Sequence, residues 1–252
     1  PTGATGFGSA ATRSLSTGGS SVRVASEKTV EDAKQLAAEA LEAPATDIEY
    51  HAGRFSVVGT DLGIGLFELA AKQPESRIYT DSTTQVEGPT WPNGCHVCEV
   101  EVDPGTGHVA VVAYASVNDI GRVVSPTIVQ GQIEGGAVQG IGQALLEQVV
   151  YDSDSGQALT ASFLDYAMPR VDGFLGFKTK FDTSIPCKTN PLGVKGVGEL
   201  GTIGATPTVV NAVIDALDHA GLGRDAERVQ MPLTDETVWR ALRRDFGDKR
   251  LA

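Results

Sequence analysis

From Cys95 to Val102 the residues follow a period of two, and beyond Asp103-Pro104-Gly105-Thr106-Gly107 a second strand-forming stretch, rich in Val and Ala, runs to Asn118. A period of two sends successive side chains to opposite faces of an extended chain. His96, Cys98, Val100 and Val102 fall on one side, and Val97, Glu99 and Glu101 on the other. The Pro/Gly-containing break is a hairpin loop signal, so the stretch predicts two long strands meeting there. The same pattern disposes of a tempting metal motif. Cys95 and Cys98 have the spacing of a zinc or redox pair, but residues three apart on a strand point to opposite faces, which argues against chelation by both thiols.

Elements of other kinds flank this hairpin. Residues 1–25 are rich in Gly, Ser and Thr and by themselves read as a loop or linker. Val30, Ala33, Leu36, Ala37, Ala40 and Leu41 recur at helical spacing and predict a helix from Ser26 to Leu41, with Pro44 just beyond it. Ile48–Val58 reads as a hairpin turning at Ala52-Gly53, followed by a helix from Asp61, as its N-cap, to about Lys72. Beyond the long strands, a helix is expected from Ser125 to about Gln148, then a strand from Gln148 to Tyr151, a turn over Asp152–Gly156 and an extended stretch through Phe181. A long loop, Asp182–Ile203, precedes a helix that Thr206-Pro207 would start and Gly221 would end. The last helix begins at Thr234, with Asp235 and Glu236 in its first turn and Arg243 and Arg244 toward its end, charges that suit its dipole. These elements make an α/β (α+β) chain of two sub-domains, 1–90 and 91–252, each a sheet packed with helices.

Charge and composition narrow the function classes. The 252 residues include 32 acidic and 20 basic side chains, a net charge of −12, with no Lys/Arg cluster. Nucleic acid and anionic membrane are poor partners for such a surface. No apolar run approaches the ~20 residues that cross a bilayer, and no leader-like pattern opens the chain. Three cysteines do not suggest a secreted disulfide framework, and they are too few to ligate an iron–sulfur cluster.

The segment Asn190–Gly201 places Glu199 among four glycines, Gly193, Gly196, Gly198 and Gly201. Few bulky side chains can shield that carboxylate, and glycine-rich turns present backbone N–H groups to an anion. Two readings stand side by side: a solvated connection and a reactive site. The helix over 125–148 poses a similar choice. Gly131, Gly135, Gly136 and Gly140 weaken it by about 1 kcal/mol each relative to alanine, so close packing must offset them. They serve either a buried helix crossing a sheet, or a face on which a flat cofactor lies while Gln132 or Gln139 supplies hydrogen bonds.

Six segments in order carry a resemblance: Ala10-Ala11-Thr12-Arg13-Ser14 with Gly18-Gly19; Cys95 to Asn118; Asp119-Ile120-Gly121-Arg122; Gln132 to Gly142; Phe163-Leu164-Asp165-Tyr166 with Pro169; and Gly193 to Gly201. Together they resemble the large, molybdopterin-binding chain of the molybdenum hydroxylases, the family of xanthine dehydrogenase, aldehyde oxidoreductase and the aerobic carbon monoxide dehydrogenases. The resemblance implies the mixed-sheet architecture of that chain's C-terminal part, and an oxidoreductase that hydroxylates a small aldehyde, N-heterocycle or related molecule at carbon with water as oxygen source. It makes Glu199 the general base. Ala10, Ala11, Thr12, Arg13, Ser14, Gln132, Gln139 and Gly198 become contacts to the molybdopterin, whose dithiolene, rather than any side chain, holds molybdenum. A cytosine dinucleotide form is expected in a bacterial enzyme.

The resemblance also implies partners: the N-terminal part of the molybdenum subunit, a 2Fe-2S subunit, an FAD subunit and a small-molecule substrate, in a cytoplasmic complex without nucleic acid or a membrane span. The family's large subunit is far longer than this chain, which begins at Pro1, so the chain is expected to be its C-terminal part, as a fragment or as one piece of a split subunit. The alternative is a non-catalytic structural half of the molybdenum subunit, inactive without partner chains. Burial is expected around Glu199, with the neighbouring cation Lys195 opposing a raised pKa if it points inward.

Overall fold

The protein is described here by a computed structural model covering residues 8–10, 12–173 and 176–244. The chain forms two compact units. One contains the described residues up to Thr90 together with Cys187–Gly193, and the other contains Trp91–Pro186 and the chain from Val194 onward. Chain order alone puts Cys187–Gly193 within 91–252, yet its contacts are with the first unit. Thr189 accounts for this: its carbonyl accepts from the Glu87 amide at 2.9 Å and its hydroxyl donates to the Pro89 carbonyl at 3.0 Å.

In the first unit, helix α1 runs over Ser20–Leu41 and continues directly from a π-helical turn, Ser14–Gly19. From Ser14 onward, the stretch expected as a loop up to residue 25 is therefore helical. Its hydroxyls do not compete with the helix because they return to carbonyls one turn back: Ser21 to Thr17 at 3.0 Å, Ser26 to Val22 at 2.8 Å and Thr29 to Ala25 at 2.7 Å. Glu42 adopts a left-handed conformation after the last turn, and the Ala43 amide bonds back to Ala38 at 3.0 Å, which ends the helix. Ala33 and Ala37 face the core, where their small side chains let the helix lie close over Ile48, Phe55, Ile64 and Leu69.

Beneath α1 lies an antiparallel sheet of β1 (Ile48–His51), β2 (Arg54–Val57) and β3 (Gly63–Gly65), in that order. The first hairpin turns at Ala52-Gly53 as expected, with both residues at positive φ. The following helix, α2, spans only Leu66–Ala71. It does not start at Asp61, because Gly63–Gly65 pairs with Arg54–Ser56 as a third strand.

In the second unit, β4 (Asn93–Val102) and β5 (Val109–Asp119) form the long antiparallel pair, with one register slip at Glu99/Val100. Asp103 shapes the loop between them. Its carboxylate accepts from the Gly105 amide and the Thr106 hydroxyl, each at 2.8 Å, and these bonds hold it below the usual carboxylate range. Strand β6 (Lys178–Asp182) adds parallel to β5, so the sheet is mixed, in the order β4-β5-β6. The strand expected at Gln148–Tyr151 is only an isolated bridge from Tyr151 to Ala158, which closes the Asp152 turn. Much of the stretch before β6 is irregular.

Helices α3 (Pro126–Leu145) and α4 (Leu200–Leu217) bury Ala137, Ile141 and Ala144 with Ala205, Val209, Val213 and Leu217 in one core. Helix α4 begins well before Thr206-Pro207, with Pro207 inside it. Proline interrupts a helix locally by withholding one N–H, but packing of the preceding turn on α3 decides the start. A Cβ on Gly136 would lie 3.1 Å from the Gly201 Cα, one on Gly140 would lie 2.8 Å from the Ala205 Cβ, and one on Gly201 would overlap the Ile133 carbonyl. By length and composition alone the helical run Leu200–Arg228 could cross a membrane. Its Ala205, Val209, Val213 and Leu217 are nevertheless fully buried in the core, the pattern of a core helix. Helix α5 (Asp235–Leu242) starts where expected, with the Thr234 hydroxyl accepting from the Thr237 amide at 3.3 Å.

Gly131 and Gly135 lie on the open side of α3 with nothing within 4 Å of an added Cβ. Gly140→Val should therefore destabilise the purified chain by about 1–3 kcal/mol through overpacking. Gly135→Ala should stabilise it by about 0.5–1 kcal/mol. Chemical unfolding of the two variants beside the parent checks both signs.

Candidate active site around Glu199

Strand β5 ends at Asp119, and the chain then turns through buried Ile120 and through Gly121, which has φ +60°. The loop leading to Glu199 is sewn onto this turn. Gly121 and Val194 form an antiparallel bridge, and the Lys195 amide donates to the Ile120 carbonyl at 3.1 Å. The Lys195 side chain is only 9% exposed, and its Nζ lies 2.6 Å from Asp119 Oδ2. Asp119 Oδ1 accepts from the Gly121 amide at 3.2 Å. The Lys195 ammonium, and after it the Gly121 amide, hold the Asp119 carboxyl below the usual carboxylate range, against the partial burial that pushes it up.

A small apolar cluster supports the loop from below. Ile120, Ile133 and Leu200 are buried together, with Val197, Val123, Val129 and Phe181 packed around them. Val197 and Leu200 bracket Gly198 and Glu199, so these two exposed residues project from a segment anchored on both sides. Glu199 occupies the position just before the first turn of α4, and its carbonyl accepts from the Ile203 amide at 3.0 Å.

The Gln132 Oε1 is 3.9 Å from where a Gly198 Cβ would sit, so the α3 amide and the Glu199 loop are neighbours. Gln132 and Gln139 are both exposed, and they share a helix face with the open Gly135. The glycines of α3 thus do two jobs. Gly136 and Gly140 admit α4, whereas Gly131 and Gly135 leave an open strip beside two amides.

The remaining expected contacts belong to the first unit. Ala10, Thr12, Arg13 and Ser14 form the turn that enters α1, while Ala11 lies outside the described residues. The Arg13 amide donates to the Ala10 carbonyl at 3.0 Å, the Arg13 Nε to the Gly8 carbonyl at 2.6 Å, and the Ser14 hydroxyl to the Ser9 hydroxyl at 2.6 Å. Thr12 has φ +62°, a conformation rare for a β-branched residue.

Two features escaped the sequence. The Asp119–Lys195 pair spans 76 positions, and only the placement of charged residues at both ends of glycine-rich turns hints at it. The other is a buried polar chain on the sheet. His96 Nδ1 lies 2.7 Å from the Tyr114 hydroxyl and Nε2 lies 3.2 Å from Asn118 Oδ1, while the Asn118 amide donates to Ser116 at 2.9 Å. Burial lowers the His96 pKa, opposed by the Asn118 bond, and burial raises that of Tyr114 well above its usual value. Nearby, burial and then the Glu99 charge push the Cys98 thiol up to about 11, so it remains protonated on its strand.

Residues 2–174 match the molybdopterin cofactor-binding domain family. The chain belongs to that family, among the molybdenum hydroxylases that its six segments resemble. It is 36% identical over 250 residues to the nicotine 6-hydroxylase large subunit of Paenarthrobacter nicotinovorans, covering 95% of this chain and 30% of that one. It is 35% identical over 243 residues to subunit gamma of the 6-hydroxypseudooxynicotine dehydrogenase complex of the same organism, again over 30% of the relative. Among solved structures, the Cu,Mo-CO dehydrogenase superposes with a TM-score of 0.80 at 28% identity, over 96% of this chain and 31% of that one. Quinoline 2-oxidoreductase from Pseudomonas putida 86 gives 0.76 at 33%, over 94% of this chain and 31% of that one. The chain spans about 30% of the curated relatives it matches over most of its length.

The site's ion pair has a signature in pH. A carboxyl whose pKa is lower folded than unfolded adds stability above the unfolded value and loses it as pH falls through the folded value. Asp119→Asn should cost stability in full at pH 5–7, at or below the roughly 3–5 kcal/mol of a broken buried pair. The gap to the parent should narrow only below pH ~4. Urea midpoints at pH 7, 5 and 3 measure it.

Proposed function

We propose that this chain is the C-terminal part of a molybdenum subunit, and that it contributes the general base Glu199 to hydroxylation of a small substrate at carbon, with water supplying the oxygen. The observation that carries the proposal is a carboxylate projecting from a loop pinned by an ion pair and an apolar cluster, beside the Gln132 amide and an open glycine strip. Such a strip has room for a flat polar group, and Gln132 and Gln139 offer both donors and acceptors along it. They would hold the molybdopterin together with Gly198 and with Ala10, Ala11, Thr12, Arg13 and Ser14. When bound, the cofactor supplies the two-electron redox chemistry and holds molybdenum through its dithiolene.

The protein's part is proton transfer and positioning. Glu199 takes up a proton at its carboxylate as the oxygen nucleophile forms, and it can do so repeatedly because its loop returns it to one place. Its own chain leaves it exposed, so the dry surroundings that suit such a base would come from the N-terminal part of the subunit. A 2Fe-2S subunit and an FAD subunit would carry electrons away, since three cysteines cannot hold a cluster. The cytosine dinucleotide form of the cofactor and a cytoplasmic location are part of the same proposal. Relatives named for nicotine and quinoline are 33–36% identical to this chain and carbon monoxide dehydrogenases 28–30%, which favours an N-heteroaromatic substrate over CO.

Glu199→Gln in the full multi-chain enzyme should lower kcat about 10²–10⁴-fold with molybdenum and pterin content unchanged. Glutamine keeps the size of the side chain and one acceptor but takes no proton. Glu147→Gln serves as the control and should retain turnover. Normal turnover of the Glu199 variant at full cofactor occupancy would favour a structural role for this half of the subunit.

A further inference from the structure

We infer that Asp119 is a positioning residue for Glu199, acting through Lys195 to fix the Val194–Gly198 loop. The inference rests on the reading of Glu199 as the base. Lys195 stands four residues before Glu199, and Gly196 and Gly198, the most pliable residue type, lie between them. A loop of that composition does not hold its own shape. It needs an external fixing point, and the 2.6 Å contact between Lys195 Nζ and Asp119 Oδ2 supplies one.

The fixing point is itself rigid. Asp119 pairs with Asn93 on one neighbouring strand and with Asp182 on the other, so its backbone is held from both sides of the sheet. Its second carboxylate oxygen is occupied by the Gly121 amide, which sets the orientation of the group toward Lys195. Among charged groups facing the pair, Asp182 senses both partners, and the Ser184 amide and hydroxyl hold it ionised.

Without Asp119, the ammonium loses its 2.6 Å partner, and among the described residues the facing Asp182 is already engaged by Ser184 and forms no ion pair with it. The ammonium would turn to solvent and carry the loop with it, or it would find another carboxylate, and Glu199 is four residues away. Either response displaces or occupies the proposed base. The larger core of this unit, built on Val209, Val213, Ile141 and Leu217, does not include the pair and should survive its loss.

The test uses the full enzyme with its partner chains, comparing Asp119→Ala, Asp119→Asn, the double variant Asp119→Ala/Lys195→Ala, and Lys28→Ala, which breaks an exposed pair with Asp32. Asp119→Ala should lower kcat about 10–100-fold, as small displacements of a reacting group do. KM should stay within about threefold, because the lost interaction acts in the transition state. Hydrogen exchange should accelerate over 194–201 and stay unchanged over β4 and β5.

Asp119→Asn keeps the acceptor for Gly121 and should show the same pattern in smaller size. The double variant should regain part of both losses, because it leaves no lone buried charge, and Lys28→Ala should match the parent. Unchanged kcat and exchange in Asp119→Ala, or exchange accelerated uniformly through the whole unit, would overturn the inference. In a Glu199→Gln background, Asp119→Ala should still loosen the loop while lowering turnover no further. If Glu199→Gln alone turned over normally, the base assignment would fail, and exchange over 194–201 would still judge the ion pair.

Discussion

The approach of α3 to α4 is the constraint on which the second unit depends. At Gly136, Gly140 and Gly201 the two helices lie so close that a side chain there would meet the other helix within about 3 Å. Backbones this close must be parts of one rigid body, because an interior at close packing has no slack to absorb a shift. The start of α4 is therefore decided by its neighbour rather than by its own capping residues, and the residue just before that start is Glu199. A glycine contact in the core thus anchors one end of the segment that carries an exposed carboxylate.

The polar anchoring has a different character from the apolar one. The cluster of Ile120, Ile133 and Leu200 favours burial without specifying direction. The Lys195–Asp119 contact specifies direction, since an ammonium and a carboxylate at 2.6 Å tolerate little displacement. Nonspecific burial combined with one directional contact gives the loop a defined geometry while leaving Gly198 and Glu199 open to solvent.

The sequence disclosed what short-range chemistry decides. The Ala52-Gly53 turn, the Asp103 loop between the long strands and the Thr234 cap depend on residues within a few positions of one another, and each is where its chemistry puts it. What the sequence hid depends on distant partners. Thr206-Pro207 has the form of a helix start, and only the α3 surface shows why the helix is already under way six residues earlier. Glycine content alone could not separate Gly136, which touches α4, from Gly135, where an added Cβ would meet nothing within 4 Å. The family was legible from six ordered segments, and the open setting of Glu199 from its glycine surroundings. The aspartate that holds its loop was not, because its lysine lies 76 positions away.

The return of Cys187–Gly193 to the first unit bears on biosynthesis. As the ribosome releases this chain, α1 and its sheet emerge early, but the segment that bonds to Glu87, Pro89 and Arg23 is made about a hundred residues later. The Arg23 guanidinium donates to the Pro191 carbonyl at 2.9 Å across 168 positions. Within this chain the first unit begins to be translated before the second but cannot be completed until most of the second has been made. A nascent chain stopped before Cys187 would hold its helix and hairpins without the contacts that Thr189 and Pro191 supply.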